Sequence, residues 1–465
     1  MSKDLLVIGA GPGGYPAAFH AADRGMKVTL VDPEPNPGGV CLYRGCIPSK
    51  TFLNVAGFLH QTQQAAAWGV ELEQPGINIE KLRAWKDSVV ENLTKGLGQL
   101  VKQRGIEYIC GRAVFKDGRH AVINVEGEAE REVAFQNAII ASGSVPSVVP
   151  GLPDSPRIID STGALDLADI PQRLLVIGGG YIGLELGQVY AALGAQVTVV
   201  EMTSGILPGV DRELARILKK RLDKQFAAVL TKTAVEQMTD TKKGMRVVFK
   251  GEHTGEELFD KVLVAVGRKP CTDGLGLENT KIKLTENGFI ETDAQRRTAE
   301  QAVFAIGDVA GQPMLAHKAT YEARVAVEVC LDRKTVYDPR AVPCVVFTDP
   351  EIAWCGLTQA EAEEQGRDVK VTTFPWAASG RALTLGRREG VTKLLFDPES
   401  GRLLGAGIAG HGAGELLAEA VLGIEMGAVA DDLAWTIHAH PTLSETIMEA
   451  AAAFSGHPTH FMRPR

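Results

Sequence analysis

Two cysteines five positions apart, Cys41 and Cys46, stand inside a glycine-flanked stretch that runs from Gly38 to Lys50. Thiols held close together can exchange an electron pair by opening and closing one sulfur–sulfur bond. Five residues of ideal helix rise about 7.5 Å, whereas bridged cysteines keep their Cα atoms within roughly 6.8 Å. A bond between Cys41 and Cys46 therefore needs a distorted turn, for which Gly45 supplies backbone freedom. A bent, reducible bridge suits a working redox couple better than a structural staple. Spacing alone leaves a second reading open, in which two unrelated thiols are buried as small apolar groups.

An internal repeat supplies what such a couple would serve. The pentapeptide Leu5-Leu6-Val7-Ile8-Gly9 recurs letter for letter as Leu174-Leu175-Val176-Ile177-Gly178. Each copy is a short apolar run fit for a buried parallel strand. Each leads into G-x-G-x-x-G: Gly9, Gly11 and Gly14 in the first, Gly178, Gly180 and Gly183 in the second. Gly25, Val28, Thr29 and Val31 then match Gly194, Val197, Thr198 and Val200, and the acids Asp32 and Glu201 close the two units at a constant offset of 169. Such glycines give a tight turn and let the backbone approach a pyrophosphate at a helix N-terminus, while the acid binds a ribose hydroxyl. Glu201 would repel the 2′-phosphate of NADP, so the second unit is expected to prefer NAD. A third apolar strand, Val303-Phe304-Ala305-Ile306, ends in Gly307-Asp308. Its aspartate suits the ribityl hydroxyls of FAD, although a strand ending in Gly-Asp is, taken alone, more often just a turn.

The rest of the chain fits this scheme. Its 465 residues call for several domains, 45% hydrophobic and 23% charged residues mark a globular protein, and the net charge of -8 argues against nucleic acid. Seven cysteines form no closely spaced framework of the kind that staples secreted scaffolds. The start, Met1-Ser2-Lys3-Asp4, lacks signal-peptide features, and no uncharged apolar run reaches a membrane span of roughly 18 residues. A cytoplasmic protein with no membrane contact and no metal site is expected. Helices are expected over 51–68 and 79–104, stopped at Gly69 and Gly105.

With these residues in view, the chain resembles the pyridine nucleotide-disulfide oxidoreductases, essentially end to end. The matching pieces are Gly9–Gly14, Cys41–Lys50, Gly178–Glu185, Val266-Gly267-Arg268, Phe304–Asp308, Gln312–His317, Phe374–Arg381 and His438–Glu445. Gln312–His317, Phe374–Arg381 and His438–Glu445 are similar to members that oxidise dihydrolipoamide rather than to glutathione- or mercury-reducing ones. Tyr43 departs from the pattern, standing where the family usually carries asparagine.

The resemblance implies an α/β fold with two Rossmann-like dinucleotide-binding domains plus a C-terminal α+β dimerisation domain. The divisions would be an FAD domain at 1–147, an NAD domain at 148–271, a central domain completing the FAD site at 272–343, and an interface domain at 344–465. It implies FAD and NAD as cofactors and Cys41–Cys46 as a redox disulfide, with Cys41 exchanging with substrate and Cys46 against the flavin. His440 would be the base, oriented by Glu445, with Pro441 favouring an extended turn between them, and His438 a satisfied core histidine. Lys50 would lie near the flavin, paired with Glu185, and Tyr181 would cover the nicotinamide pocket. Gly143 and Gly267 join the cofactor-binding set. A homodimer with shared active sites and a lipoylated carrier protein as partner are implied as well. A reductase of another thiol carrier and a flavoprotein retained only as a binding subunit are the rival readings.

Overall fold

The apolar run at the N-terminus forms the strand Lys3–Ile8, parallel to Val28–Asp32 on one side and to Arg131–Ile140 on the other. A computed structural model describes residues 3–73 and 75–461. Leu5 and Val7 pack beneath the helix Gly14–Asp23, whereas Leu6 and Ile8 face a second layer around Phe115, Ile123 and Phe135. Both faces are covered, so the strand carries no polar alternation. The helix buries Gly14, Ala17, Ala18 and Ala21, a stripe of small residues at helical spacing that lets it lie close to the sheet.

Glu107–Cys110 extends this sheet beyond Val28–Asp32. On the other side Arg131–Ile140 pairs with Val303–Ala305 in parallel and with His120–Asn124 antiparallel, and Arg112–Phe115 completes the sheet. The second unit has five parallel strands in the order Ala228–Leu230, Gln196–Val200, Arg173–Ile177, Lys261–Val264, Ile158–Ile159. Its central register, Leu174 opposite Val197, matches Leu5 opposite Val28 in the first. The sequence repeat is therefore a structural repeat down to the pairing of individual residues. A three-stranded antiparallel meander over Thr233–Phe259 covers the second sheet, and Ser144–Pro146 pairs with Arg268–Pro270 where the chain passes between the units.

The last part is an antiparallel sheet of Cys344–Val346, Glu351–Gly356, Leu403–Gly410, Val391–Phe396 and Lys370–Pro375. Helices Ala413–Met426 and Glu445–Ala452 share its core around the fully buried Trp376. The helix expected over 51–68 begins earlier, at Cys46, and ends at Gln64 in a 3-10 turn over Ala65–Trp68. Pro48 is tolerated because the first-turn N–H groups of a helix have no intrahelical acceptor. This helix buries Phe52 and Leu59 in the core of the second nucleotide unit. It thereby ties the cysteine segment to the helix Tyr181–Ala192.

Candidate active site

Cys41 lies in the short helix Gly39–Arg44 and Cys46 is the first residue of the long one. Between them Gly45 adopts φ -144° and ψ -113°, and a Cβ there would meet the Val40 carbonyl oxygen at 2.9 Å. The kink thus needs glycine for space. It brings the two side chains, both free thiols in the structure, into hydrogen-bond contact. That bond from Cys41 lowers the Cys46 thiol to about 7 against the opposing effect of burial, with Lys50 adding to the fall. The same contact and burial push Cys41 far upward.

Both sulfurs open onto a cavity of about 480 Å³, lined also by Gly9, Gly11, Asp32, Lys50, Gly143, Tyr181, Glu185 and Asp308. Lys50 pairs with the almost fully buried Glu185 at 2.7 Å, and its ammonium lies 4.5 Å from the Phe347 ring centroid. The Phe347 N–H donates to the other Glu185 oxygen at 2.9 Å, so residues from three parts of the chain fix this one cation. Asp308 accepts from the Ser144 hydroxyl at 2.5 Å, which itself accepts from Arg268 Nε at 2.7 Å. Asp32 accepts from the Ala10 N–H at 2.6 Å, and burial raises its carboxyl to about 6 although that N–H pulls the other way.

In the second unit Glu201 accepts from the Gly179 N–H at 2.7 Å and from the Thr203 N–H at 2.7 Å. A Cβ on Gly183 would meet the Gly178 carbonyl oxygen at 2.4 Å, and Gly180 faces open space. Gly267 has φ +131°, a backbone conformation that side chains rarely adopt. His440 Nδ1 lies 2.9 Å from Glu445 Oε1, and the Thr442 N–H donates to the other oxygen at 2.8 Å. Burial would raise Glu445, but the Thr442 N–H and His440 hold it below the usual carboxylate range. The His440–Pro441 peptide is cis. The His440 side chain is 76% exposed and does not line the cavity, so one chain alone keeps it apart from the cysteines. His438 is held by Glu419 and the Thr436 carbonyl.

The Pyridine nucleotide-disulphide oxidoreductase model matches residues 3–323, and the dimerisation domain of the same family matches residues 342–451. The chain belongs to this family. Proteins named dihydrolipoyl dehydrogenase resemble it over nearly their whole length. That of Vibrio parahaemolyticus is 45% identical, covering 98% of this chain and 97% of its own, and that of Thermus scotoductus is 46% identical, covering 99% of each. Among solved structures, LpdA from Mycobacterium tuberculosis aligns with a TM-score of 0.90 at 26% identity over 97% of this chain and 99% of its own. The Escherichia coli flavoprotein disulfide reductase RclA, in its Cu(II) complex, aligns at 0.87 with 28% identity over 97% and 99%.

FAD and NAD(H) are the cofactors of this family, and the residues present fit them. A Cβ on Gly14 would overlap the Gly9 carbonyl oxygen at 1.7 Å, whereas Gly143, at φ +76°, borders open cavity. The acids at the ends of Val28–Asp32 and Gln196–Val200 each bind a fingerprint N–H, placing a carboxylate beside each glycine turn. Sequence reasoning did not find Phe347 or Ser144 on Lys50 and Asp308. Phe347 gave no signal, and only Arg268, within Val266-Gly267-Arg268, hinted at the second contact. No helix is long and apolar enough to cross a membrane among the described residues.

Proposed function

We propose that this chain oxidises dihydrolipoyl groups and passes the electrons through the Cys41–Cys46 disulfide and FAD to NAD+. The carrying observation is the thiol pair in contact within the cavity, beside a fixed Lys50, in a chain matched along its length by dihydrolipoyl dehydrogenases. FAD, when bound, supplies the two-electron acceptor that returns a hydride to NAD+. A dihydrolipoyl thiolate attacks Cys41 Sγ, breaking the bridge and releasing Cys46 as thiolate. The second substrate thiol then gives up its proton and attacks, as thiolate, the substrate sulfur bound to Cys41, closing the lipoyl ring and releasing Cys41, which takes up that proton. The lowered Cys46 thiol fits the role of leaving group and electron donor, because a low-pKa thiolate leaves readily. The proton of the first substrate thiol goes to the partner subunit's His440, whose imidazole Glu445 orients and stabilises as the cation.

The domains divide at 1–147, 148–271, 272–343 and 344–465, with the last pairing two copies so that each active site is shared. Gly9, Gly11, Gly14, Asp32, Gly143 and Asp308 take FAD, with Lys50 and Glu185 beside its ring. Gly178, Gly180, Gly183, Glu201 and Gly267 take NAD, and Tyr181 covers the nicotinamide pocket. A lipoyl group on a carrier protein of the cytoplasm, in a 2-oxoacid dehydrogenase complex, the glycine cleavage system or another lipoate-binding protein, is the substrate. Steady-state assay with dihydrolipoamide and NAD+ tests the reading. Glutathione reduction with NADPH in place of that activity would overturn it. His440→Gln should lower dithiol oxidation about a hundredfold or more while NADH affinity is kept, and unaltered turnover would remove His440 from the scheme.

A further inference from the structure

Behind the Gly307–Asp308 turn lies a buried group of charges that the proposed chemistry does not use. Glu322, fully buried in the helix Ala316–Cys330, accepts the Gly307 N–H at 2.7 Å through one oxygen. Its other oxygen lies 3.1 Å from Lys318 Nζ and 3.0 Å from Arg296 Nη1. Lys318 also donates to the Gly311 carbonyl at 3.1 Å and approaches that of Gly307 at 3.4 Å. Gly307 sits at φ +75°, and a Cβ there would press on Ala319 at 3.1 Å.

Such an arrangement costs stability. Buried ion pairs seldom repay their desolvation. Arg296 adds two further costs: a left-handed φ of +65°, and a buried Nε with no hydrogen-bond partner. Its guanidinium lies 4.6 Å from the Tyr337 ring centroid, and its carbonyl accepts from the Ala305 N–H in the strand leading to Gly307. Beyond their mutual ion pairs, the Glu322 and Lys318 side chains bond the Gly307 and Gly311 backbone, and the Arg296 carbonyl holds Ala305, all on the segment that delivers Asp308 to the cavity.

We propose that Glu322 is a positioning residue for FAD, holding the Gly307–Asp308 turn in its binding conformation through the Gly307 N–H while Lys318 and Arg296 hold the carboxylate. This rests on the reading that Asp308 faces FAD in the cavity. The group gives a rigid back wall to a turn whose front carries the Ser144–Arg268 hydrogen bonds.

Two double variants separate positioning from burial of charge. Glu322→Gln with Lys318→Met keeps an acceptor for Gly307, while Glu322→Leu with Lys318→Met matches it in size and charge but has none. FAD affinity of the stripped and refilled protein should stay within about threefold of wild type in the first and fall about tenfold or more in the second. The second loss should vanish in an Asp308→Ala background, an interaction that a general folding defect would not produce. Equal FAD affinity in the two, or an undiminished loss without Asp308, overturns the inference. Should the leucine variant not fold, Glu322→Asp decides. It keeps the charge but withdraws the acceptor, and FAD affinity at wild-type level would then overturn the proposal. A wild-type protein that binds no FAD overturns the underlying reading instead.

Discussion

The two nucleotide units repeat the same backbone chemistry and differ in what lies over the turn. Gly9 and Gly178 have φ of +95° and +109°, and an added Cβ would meet Ala141 O at 2.3 Å and Ala265 O at 2.4 Å. Both acids accept from the N–H after that glycine, at 2.6 and 2.7 Å. Over the first turn, however, lies the helix that carries Cys41: a Cβ on Gly11 would touch Gly39 Cα at 3.8 Å, and one on Gly39 would sit 2.5 Å from Gly11 Cα. Nothing stands within 4 Å of the corresponding position on Gly180. One duplicated unit has thus become a covered site joined to the thiol pair, the other an open one. The first geometry suits a cofactor that stays, and the second suits one that exchanges each turnover.

The largest effect that would separate the sites comes from the thiols. Cys41→Ser removes the exchange sulfur, so dihydrolipoamide oxidation should fall about a thousandfold or more with FAD retained and NADH binding unaltered. Dithiol-dependent NADH formation at the wild-type rate would detach the cysteines from the first site altogether. Next in size is a pair of glycine variants. Gly39→Ala places a methyl group on Gly11 at a left-handed position, φ +55°, and should weaken FAD retention about a hundredfold. Gly180→Ala meets no protein atom, so thermal stability should stay unchanged while the Michaelis constant for NAD+ rises a few-fold. If the two alanines behaved alike, the contrast between covered and open sites would fail.

The two units themselves were legible because their parts are local. The strand–turn–helix units, their acids and the glycine-assisted kink between the cysteines depend on neighbours within a few residues or on a repeated period. Other features depend on contacts across the chain. Phe347 reaches Lys50 only because the last sheet packs against the helix Tyr181–Ala192, and Ser144 reaches Asp308 only because Val303–Ala305 joins the first sheet. The early start of the helix at Cys46 was hidden by Pro48, which marks a helix start as readily as a break. His440 and Glu445 were recognisable as a pair, yet one chain places them away from the cavity.

Smaller in effect is a test on the open site. Glu201 holds two N–H groups at the surface, and Glu201→Ala should raise the NAD+ dissociation constant about tenfold while improving tolerance of NADP+. Unchanged discrimination between the two dinucleotides would show that the carboxylate only braces the turn.

The smallest effect concerns the buried acid of the covered site. Burial lifts Asp32 to about 6 from an ordinary value of 3.8, despite the Ala10 N–H. In the FAD-free protein the folded state therefore binds this proton more tightly than the unfolded one. Its contribution to stability is present in acid and is lost as pH rises through about 6. Accepting a ribose hydroxyl favours the carboxylate, so FAD affinity should run in the opposite direction. It should be level above about pH 7 and fall roughly tenfold by about pH 5, and Asp32→Asn should flatten the profile. Fluorescence titration of the FAD-free protein measures this directly. A matching fall for NAD+ would mean that burial of Asp32 is not the cause, because Glu201 is only half-buried.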